Sequence, residues 1–156
     1  MSALKLVEQF MRENLVLATA ESCTGGLVAG AITAIPGSSR VFTHGFVTYA
    51  NEAKTQMLGV PVALLAAHGA VSEPVARAMA EGARDHAGAD YAIATTGIAG
   101  PDGGTAEKPV GTVWFGLAGP TGTRAYHRLF QGDREAVREQ AVVFALMLLE
   151  QRGDIQ

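Results

Sequence analysis

Ser22, Cys23 and Thr24 stand side by side in Thr19-Ala20-Glu21-Ser22-Cys23-Thr24-Gly25-Gly26, between the apolar run Leu15 to Ala18 and a helical pattern beginning at Leu27. This reads as a strand-to-helix turn. It brings hydroxyls, a thiol and unpaired backbone N–H groups to a helix N-terminus, where partial positive charge collects. Two readings are open. Ser22 or Thr24 caps the helix and the glycines turn the chain. Alternatively, Ser22 is a nucleophile, and Cys23, Thr24, Gly25 and Gly26 offer N–H donors to the oxyanion of a tetrahedral intermediate. Ser22 does not sit in G-x-S-x-G, which separates it from an α/β-hydrolase elbow. Cys23 is the rival nucleophile, but no histidine partner is predictable for it, and a lone small thiol in a turn more often packs in the core.

A serine nucleophile needs a base, which need not be histidine. Asn51 reads as the cap of a helix over Glu52 to Leu58, stopped by Gly59. Lys54 then falls at the third helical position, where a capping box carries Glu or Gln and a cation opposes the helix dipole by up to about 1 kcal/mol. A surface lysine reaching water is the ordinary explanation. The other is a neutral base: with Tyr49 close in sequence, Lys54 suits proton handling of the serine–lysine type. Each unit by which a lysine pKa is lowered requires about 1.4 kcal/mol of bias against the cation, which burial can supply.

Other chemistries find less support. Gly97, Gly100, Gly103 and Gly104 do not spell G-x-G-x-x-G, and neither glycine-rich loop spells G-x-x-x-x-G-K-[ST], although a backbone cradle for a phosphate stays open. His44, His68, His86 and His127 are scattered singly, so neither a metal nor another cofactor is expected. The net charge is −3 with no dense Lys/Arg cluster, which argues against nucleic acid or a membrane as partner and favours a small molecule. One cysteine, an opening segment unlike a signal peptide and no membrane-length apolar run make the cytoplasm the expected compartment.

The elements that must position these residues follow from periodicity. A first amphipathic helix over Ala3 to Arg12 is capped by Ser2, and Leu15 to Ala18 form a strand covered on both faces. Leu27 to Ile35 read as a largely buried helix ended by Pro36-Gly37. Val41 to Ala50 suit one strand or two short ones broken near Gly45, ending with Tyr49 at a sheet edge. Pro61 starts a short helix, Ser72 caps a longer one to about Ala87, and Tyr91 to Thr96 form a strand feeding the long loop Gly97 to Pro109. A loop so long and glycine-rich is more often functional than idle. Val110 to Leu117 and Thr123 to Phe130 form a hairpin, and Asp133 caps the last helix, with Val137, Ala141, Phe144, Ala145 and Leu148 as its buried stripe. The result is a single α/β domain over 1–156, with a mixed sheet between two helical layers and three strand ends carrying Ser22, Tyr49 and Thr96.

Several motifs together resemble one family. They are Ala20-Glu21-Ser22-Cys23-Thr24-Gly25-Gly26, Gly45-Phe46-Val47-Thr48-Tyr49-Ala50-Asn51-Glu52-Ala53-Lys54, His68-Gly69-Ala70-Val71-Ser72, Thr96 to Gly104 with Lys108 to Val113, and Phe130-Gln131-Gly132-Asp133-Arg134. In this order, and over nearly the whole chain, they resemble the CinA C-terminal domain family, called PncC when the domain stands alone. The resemblance implies a three-layer α/β/α sandwich with a mixed β-sheet, no metal, a homo-oligomer, and hydrolysis of the carboxamide of nicotinamide mononucleotide to nicotinic acid mononucleotide and ammonia in pyridine nucleotide salvage. It implies Ser22 as acyl-forming nucleophile, Lys54 and Tyr49 as the proton-handling pair, Thr96 as a further active-site hydroxyl, and Arg134 as ligand of the substrate's charged part. Asn51 and the Gly100 to Gly104 loop, including Gly103, are implied to line the pocket, with Gly97 ahead of the loop. Ala50 and Thr96 stand where relatives often carry serine, and Thr96 keeps a hydroxyl. Long CinA proteins carry an N-terminal domain similar to molybdopterin-binding folds, whose activity is expected to be absent here. Two other functions are expected alternatives: a regulatory module that binds a pyridine nucleotide without hydrolysing it, and an amidohydrolase of another amide.

Overall fold

The computed structural model describes residues 2–154. Its elements in chain order are α1 (Ser2–Glu13), β1 (Leu17–Glu21), α2 (Leu27–Thr33), a short 3-10 turn (Ser38–Arg40), β2 (Phe42–Val47), α3 (Asn51–Leu58), α4 (Val62–His68), α5 (Glu73–Ala87), β3 (Tyr91–Gly97), β4 (Thr112–Gly119), β5 (Gly122–Leu129) and α6 (Arg134–Gln151). The sheet is open and mixed, in the order β2-β1-β3-β4-β5. β1 runs parallel to both β2 and β3, while β4 is antiparallel to β3 and β5. The carboxyl ends of β1, β2 and β3 therefore meet at one side of the molecule, where ligands of such sheets bind.

Strand alternation sorts the core into two layers. Leu17, Ile93, Val113, Phe115 and Leu117 pack with α1, α2 and α6. Ala18, Ala20, Ala92, Ala94 and Ala118 pack with α3, α4 and α5. Small residues on this second face let α5 approach closely. A Cβ at Gly116 would overlap the Ala76 carbonyl, and one at Gly82 would overlap that of Leu58. The three-layer α/β/α arrangement is thus built from a bulky face and an alanine face.

Several boundaries depart from the periodicity reading. β1 starts two residues later than expected and runs on through Thr19 and Glu21, both buried, because it is central and hydrogen-bonded on both sides. α2 is buried along one side only, through Val28 and Ile32, with Leu27 exposed, so the expectation of a largely buried helix fails. The segment before Tyr49 is one continuous edge strand, not two. Asn51 is not a cap: extended Ala50 holds that position with no side-chain cap, and Asn51 opens the helix, moving Lys54 one place further in. Ser72 does stand at the N-cap of α5, but its hydroxyl donates back to the Gly69 carbonyl. Asp133 caps α6 by accepting from Ala136 N–H. The expected Ser2 cap lies outside the described side chains. Among the described residues no helix is long and apolar enough to cross a membrane.

Candidate active site

The turn after β1 is held by a buried carboxylate. Glu21 is 1% exposed, and its Oε1 accepts from Thr24 Oγ1 (2.6 Å), Val28 N–H (2.9 Å) and Gly26 N–H (3.2 Å), while Oε2 accepts from Ala29 N–H (3.0 Å). The N-terminus of α2 is therefore capped from within by an anion, and its positive end is already neutralised. Ser22 N–H donates to the Thr95 carbonyl at 2.9 Å, fixing the serine at the edge of β3, and Gly25 N–H returns to the Ser22 carbonyl. Thr24 is fully buried and shares its hydroxyl with Thr95 at 2.7 Å.

Lys54 reaches the same point from α3. Its side chain is 1% exposed, yet no carboxylate among the described residues lies within ion-pairing distance. Nζ is 2.8 Å from the Thr48 carbonyl, 3.2 Å from the Tyr49 carbonyl and 3.1 Å from Ser22 Oγ. Burial pulls its pKa below the usual lysine range. In the neutral amine two N–H bonds satisfy the two carbonyls, and the lone pair is left for the Ser22 hydroxyl proton. The end of β2, through its main chain, aims the base at the nucleophile.

Cys23 is buried beside this pair, and its thiol is pushed up to about 12, chiefly by burial. It is a protonated packing group at neutral pH, without the activation a thiolate nucleophile needs.

Around Ser22 and Lys54 opens a cleft of about 290 Å³, also lined by Cys23, Tyr49, Asn51, Thr96 and Arg134. Thr96 Oγ1 donates to the Ala70 carbonyl at 2.9 Å, tying β3 to the loop before α5. At the mouth, Arg134 donates to the Gly100 carbonyl (2.8 Å) and to the Tyr49 hydroxyl (3.1 Å). Lys54 thus touches the Tyr49 main chain, and the phenol belongs to Arg134. Among the described residues no cluster of His, Cys, Asp and Glu could hold a metal ion. A larger groove of about 430 Å³ between α3 and α4 shares Asn51 with the cleft, and neither Ser22 nor Lys54 lines it. The sequence profile of the CinA C-terminal domain matches residues 2–152.

The chain belongs to the CinA C-terminal domain family.

Its relatives include CinA-like proteins of Anaeromyxobacter dehalogenans, 62% identical over 133 residues, and Geobacter sulfurreducens, 57% identical over 143 residues. These matches cover 85% and 92% of this chain but 33% and 35% of those proteins, so it spans about a third of the length of the curated relatives it matches. Among solved structures, the competence/damage inducible protein CihA of Agrobacterium tumefaciens superposes with a TM-score of 0.92 at 46% identity, covering 95% of this chain and 91% of that one. A CinA superfamily protein of Escherichia coli gives 0.93 at 41% identity, covering 97% and 88%.

In this CinA domain, Gly97, Gly100 and Gly103 border the cleft, whereas Thr24, Gly25, Gly26 and Gly104 are not among its lining residues. Asp102, inside the Gly100 to Gly104 loop, lines the cleft with Gly100 and Gly103, as expected of that loop. Ala70 and Val71, which carried no expected role, also line it. Glu21 and Arg138 hold the turn mainly through its main-chain atoms and left no sequence signal, the Thr24 hydroxyl on Glu21 being the one side-chain partner of either among the described residues.

Proposed function

We propose that this cleft hydrolyses the carboxamide of nicotinamide mononucleotide through an acyl-enzyme on Ser22. The observation carrying the reading is Lys54 Nζ, buried with no counter-ion among the described residues and 3.1 Å from Ser22 Oγ. Lys54 accepts the hydroxyl proton as Oγ bonds to the carboxamide carbon and the carbonyl electron pair moves to oxygen. The resulting ammonium gives that proton to the departing nitrogen. The C–N bond breaks, ammonia leaves, and an ester to Ser22 remains. Water then attacks the ester with Lys54 again as base, and proton return to Oγ releases the carboxylate. One water is consumed and one ammonia formed.

The substrate's charges suit this cleft. A cationic pyridinium beside Lys54 further disfavours the ammonium and so favours the free base. Arg134 at the mouth supplies a fixed cation for the phosphate. The Tyr49 hydroxyl accepts from Arg134 and keeps its own proton to donate toward substrate. Thr96 and Asn51 provide further polar contacts in the cleft.

Ammonia release from the mononucleotide, nicotinamide and the free riboside, measured side by side, tests the reading. The mononucleotide is expected to react fastest, and Ser22→Ala to abolish turnover while still binding it. Unchanged turnover in Ser22→Ala refutes the nucleophile. Tight binding of the intact mononucleotide by the native protein, with no product, refutes hydrolysis in favour of a regulatory module.

A further inference from the structure

We infer that Thr96 is the specificity-determining residue that tells the carboxamide from its acid product, because its one proton is committed to the Ala70 carbonyl and only lone pairs remain for the bound group; this rests on the hydrolysis reading above. The register of the sheet puts Thr96 beside the nucleophile. Glu21 stands opposite Thr95 across β1 and β3, and the Ser22 N–H carries the ladder on to the Thr95 carbonyl. Successive side chains of a strand point to opposite faces. The Glu21 carboxylate and the Thr95 hydroxyl both engage Thr24 in the turn leading to α2, whereas Ser22 reaches Lys54 of α3 and Thr96 reaches Ala70 ahead of α5. Ser22 and Thr96 therefore share the face of α3 and α5 on neighbouring strands, an interstrand spacing of about 4.8 Å. Both line the cleft, as does Ala70. The nitrogen of a carboxamide whose carbon meets Ser22 Oγ bridges that spacing with one N–H bond to Thr96 Oγ1.

A threonine hydroxyl has one proton to give and two lone pairs to accept with. Thr96 gives its proton to Ala70 at 2.9 Å, is 1% exposed, and accepts from no donor among the described residues. Toward the cleft it is an acceptor. A carboxamide nitrogen arrives with two N–H donors and fills that acceptor. The carboxylate formed by hydrolysis carries acceptors only, so its oxygen meets lone pairs, or Thr96 turns its proton inward and leaves the Ala70 carbonyl without a donor. An unmade bond of this kind costs more than a made one returns. A site built to accept from a substrate N–H rejects the analogue lacking it. The loop before α5 thus sets the direction of one hydrogen bond, and that direction favours amide over acid and the departure of product.

The test compares the Kd of nicotinamide mononucleotide with that of nicotinic acid mononucleotide, by titration calorimetry at one pH in a Ser22→Ala background, where neither is turned over. Thr96→Val, of nearly the same shape, is expected to weaken the amide by about 3- to 10-fold while the acid holds or tightens, so the preference for amide falls by about threefold or more. Thr96→Ser, which keeps the hydroxyl, should restore the preference. If Thr96→Val does not fold, Thr96→Ala takes its place. A preference that changes by less than about threefold overturns the inference, including the case in which both ligands weaken together, the mark of a merely structural role. An acid that weakens more than the amide shows Thr96 donating into the cleft and overturns it as well. Ammonia release from the mononucleotide by the native protein is measured alongside. Its absence refutes the hydrolysis reading and the inference with it, whereas turnover with an unchanged preference refutes the inference alone.

Discussion

Replacing Lys54 by Met keeps the length and apolar stem of a residue that is 1% exposed, while removing, among the described residues, the one group within hydrogen-bond reach of Ser22 Oγ that can act as its base. General base catalysis contributes about 10²- to 10⁴-fold, or about 3 to 5.5 kcal/mol of barrier, so kcat should fall by about that factor. KM should move little, since Nζ is already engaged by Ser22 and the Thr48 and Tyr49 carbonyls. Stability carries a second signature. Lys54 titrates in the usual range when unfolded and below it when folded. Between those two values the unfolded chain holds the extra proton, so stability rises with pH across the window, by about 1.4 kcal/mol per unit of separation. Below the folded value both states are protonated and the burial penalty is fully present. Lys54→Met should erase this rise, at a fixed cost of about 1–3 kcal/mol for each carbonyl left without a donor. The assays are ammonia release and urea unfolding, each across neutral to alkaline pH. In the native protein kcat/KM should climb as pH passes the folded Lys54 value. A variant within about tenfold of native kcat, or native stability that does not rise toward the lysine range, refutes the neutral-base argument.

Two further outcomes are expected. Glu21→Ala removes the buried acceptor of three N–H groups and the Thr24 hydroxyl, and should cost about 3 kcal/mol or more, lowering Tm by about 10 °C in calorimetry; a loss under about 1 kcal/mol would count against its capping role. Cys23→Ala should retain activity, and iodoacetamide should leave the native protein active at neutral pH, because the thiol is pushed up to about 12; rapid inactivation by the reagent would contradict that assignment.

Much of the site was legible because the residues concerned carry their own chemistry. Ser22, Lys54, Tyr49 and Thr96 could be set at strand ends and helix starts by periodicity alone, and the fold brings them to one cleft. What escaped depended on main-chain partners. Asn51 resembles a cap by residue type, but the extended conformation of Ala50 takes that position. Glu21 looks like a polar stop to an apolar strand, yet β1 continues through it because β2 and β3 pair on either side. Its carboxylate then caps α2 from seven and eight residues upstream, a spacing outside any local capping signature. Arg138 has the same character: on sequence it is a surface charge of an amphipathic helix, and only the fold reveals the carbonyls beneath it.

The placement of β2 sets a limit on how the molecule can fail. This strand lies at the rim of the sheet, largely exposed, and pairs on one side only. The two carbonyls that orient Lys54, and the phenol that meets Arg134, all follow directly from its last residue. Rim strands open before central ones, at a free energy below that of global unfolding. Fraying at Val47 would therefore release the base and the mouth of the cleft together while β1, β3 and β4 stayed intact, so the working temperature of the cleft is governed by its weakest strand and not by the melting of the core.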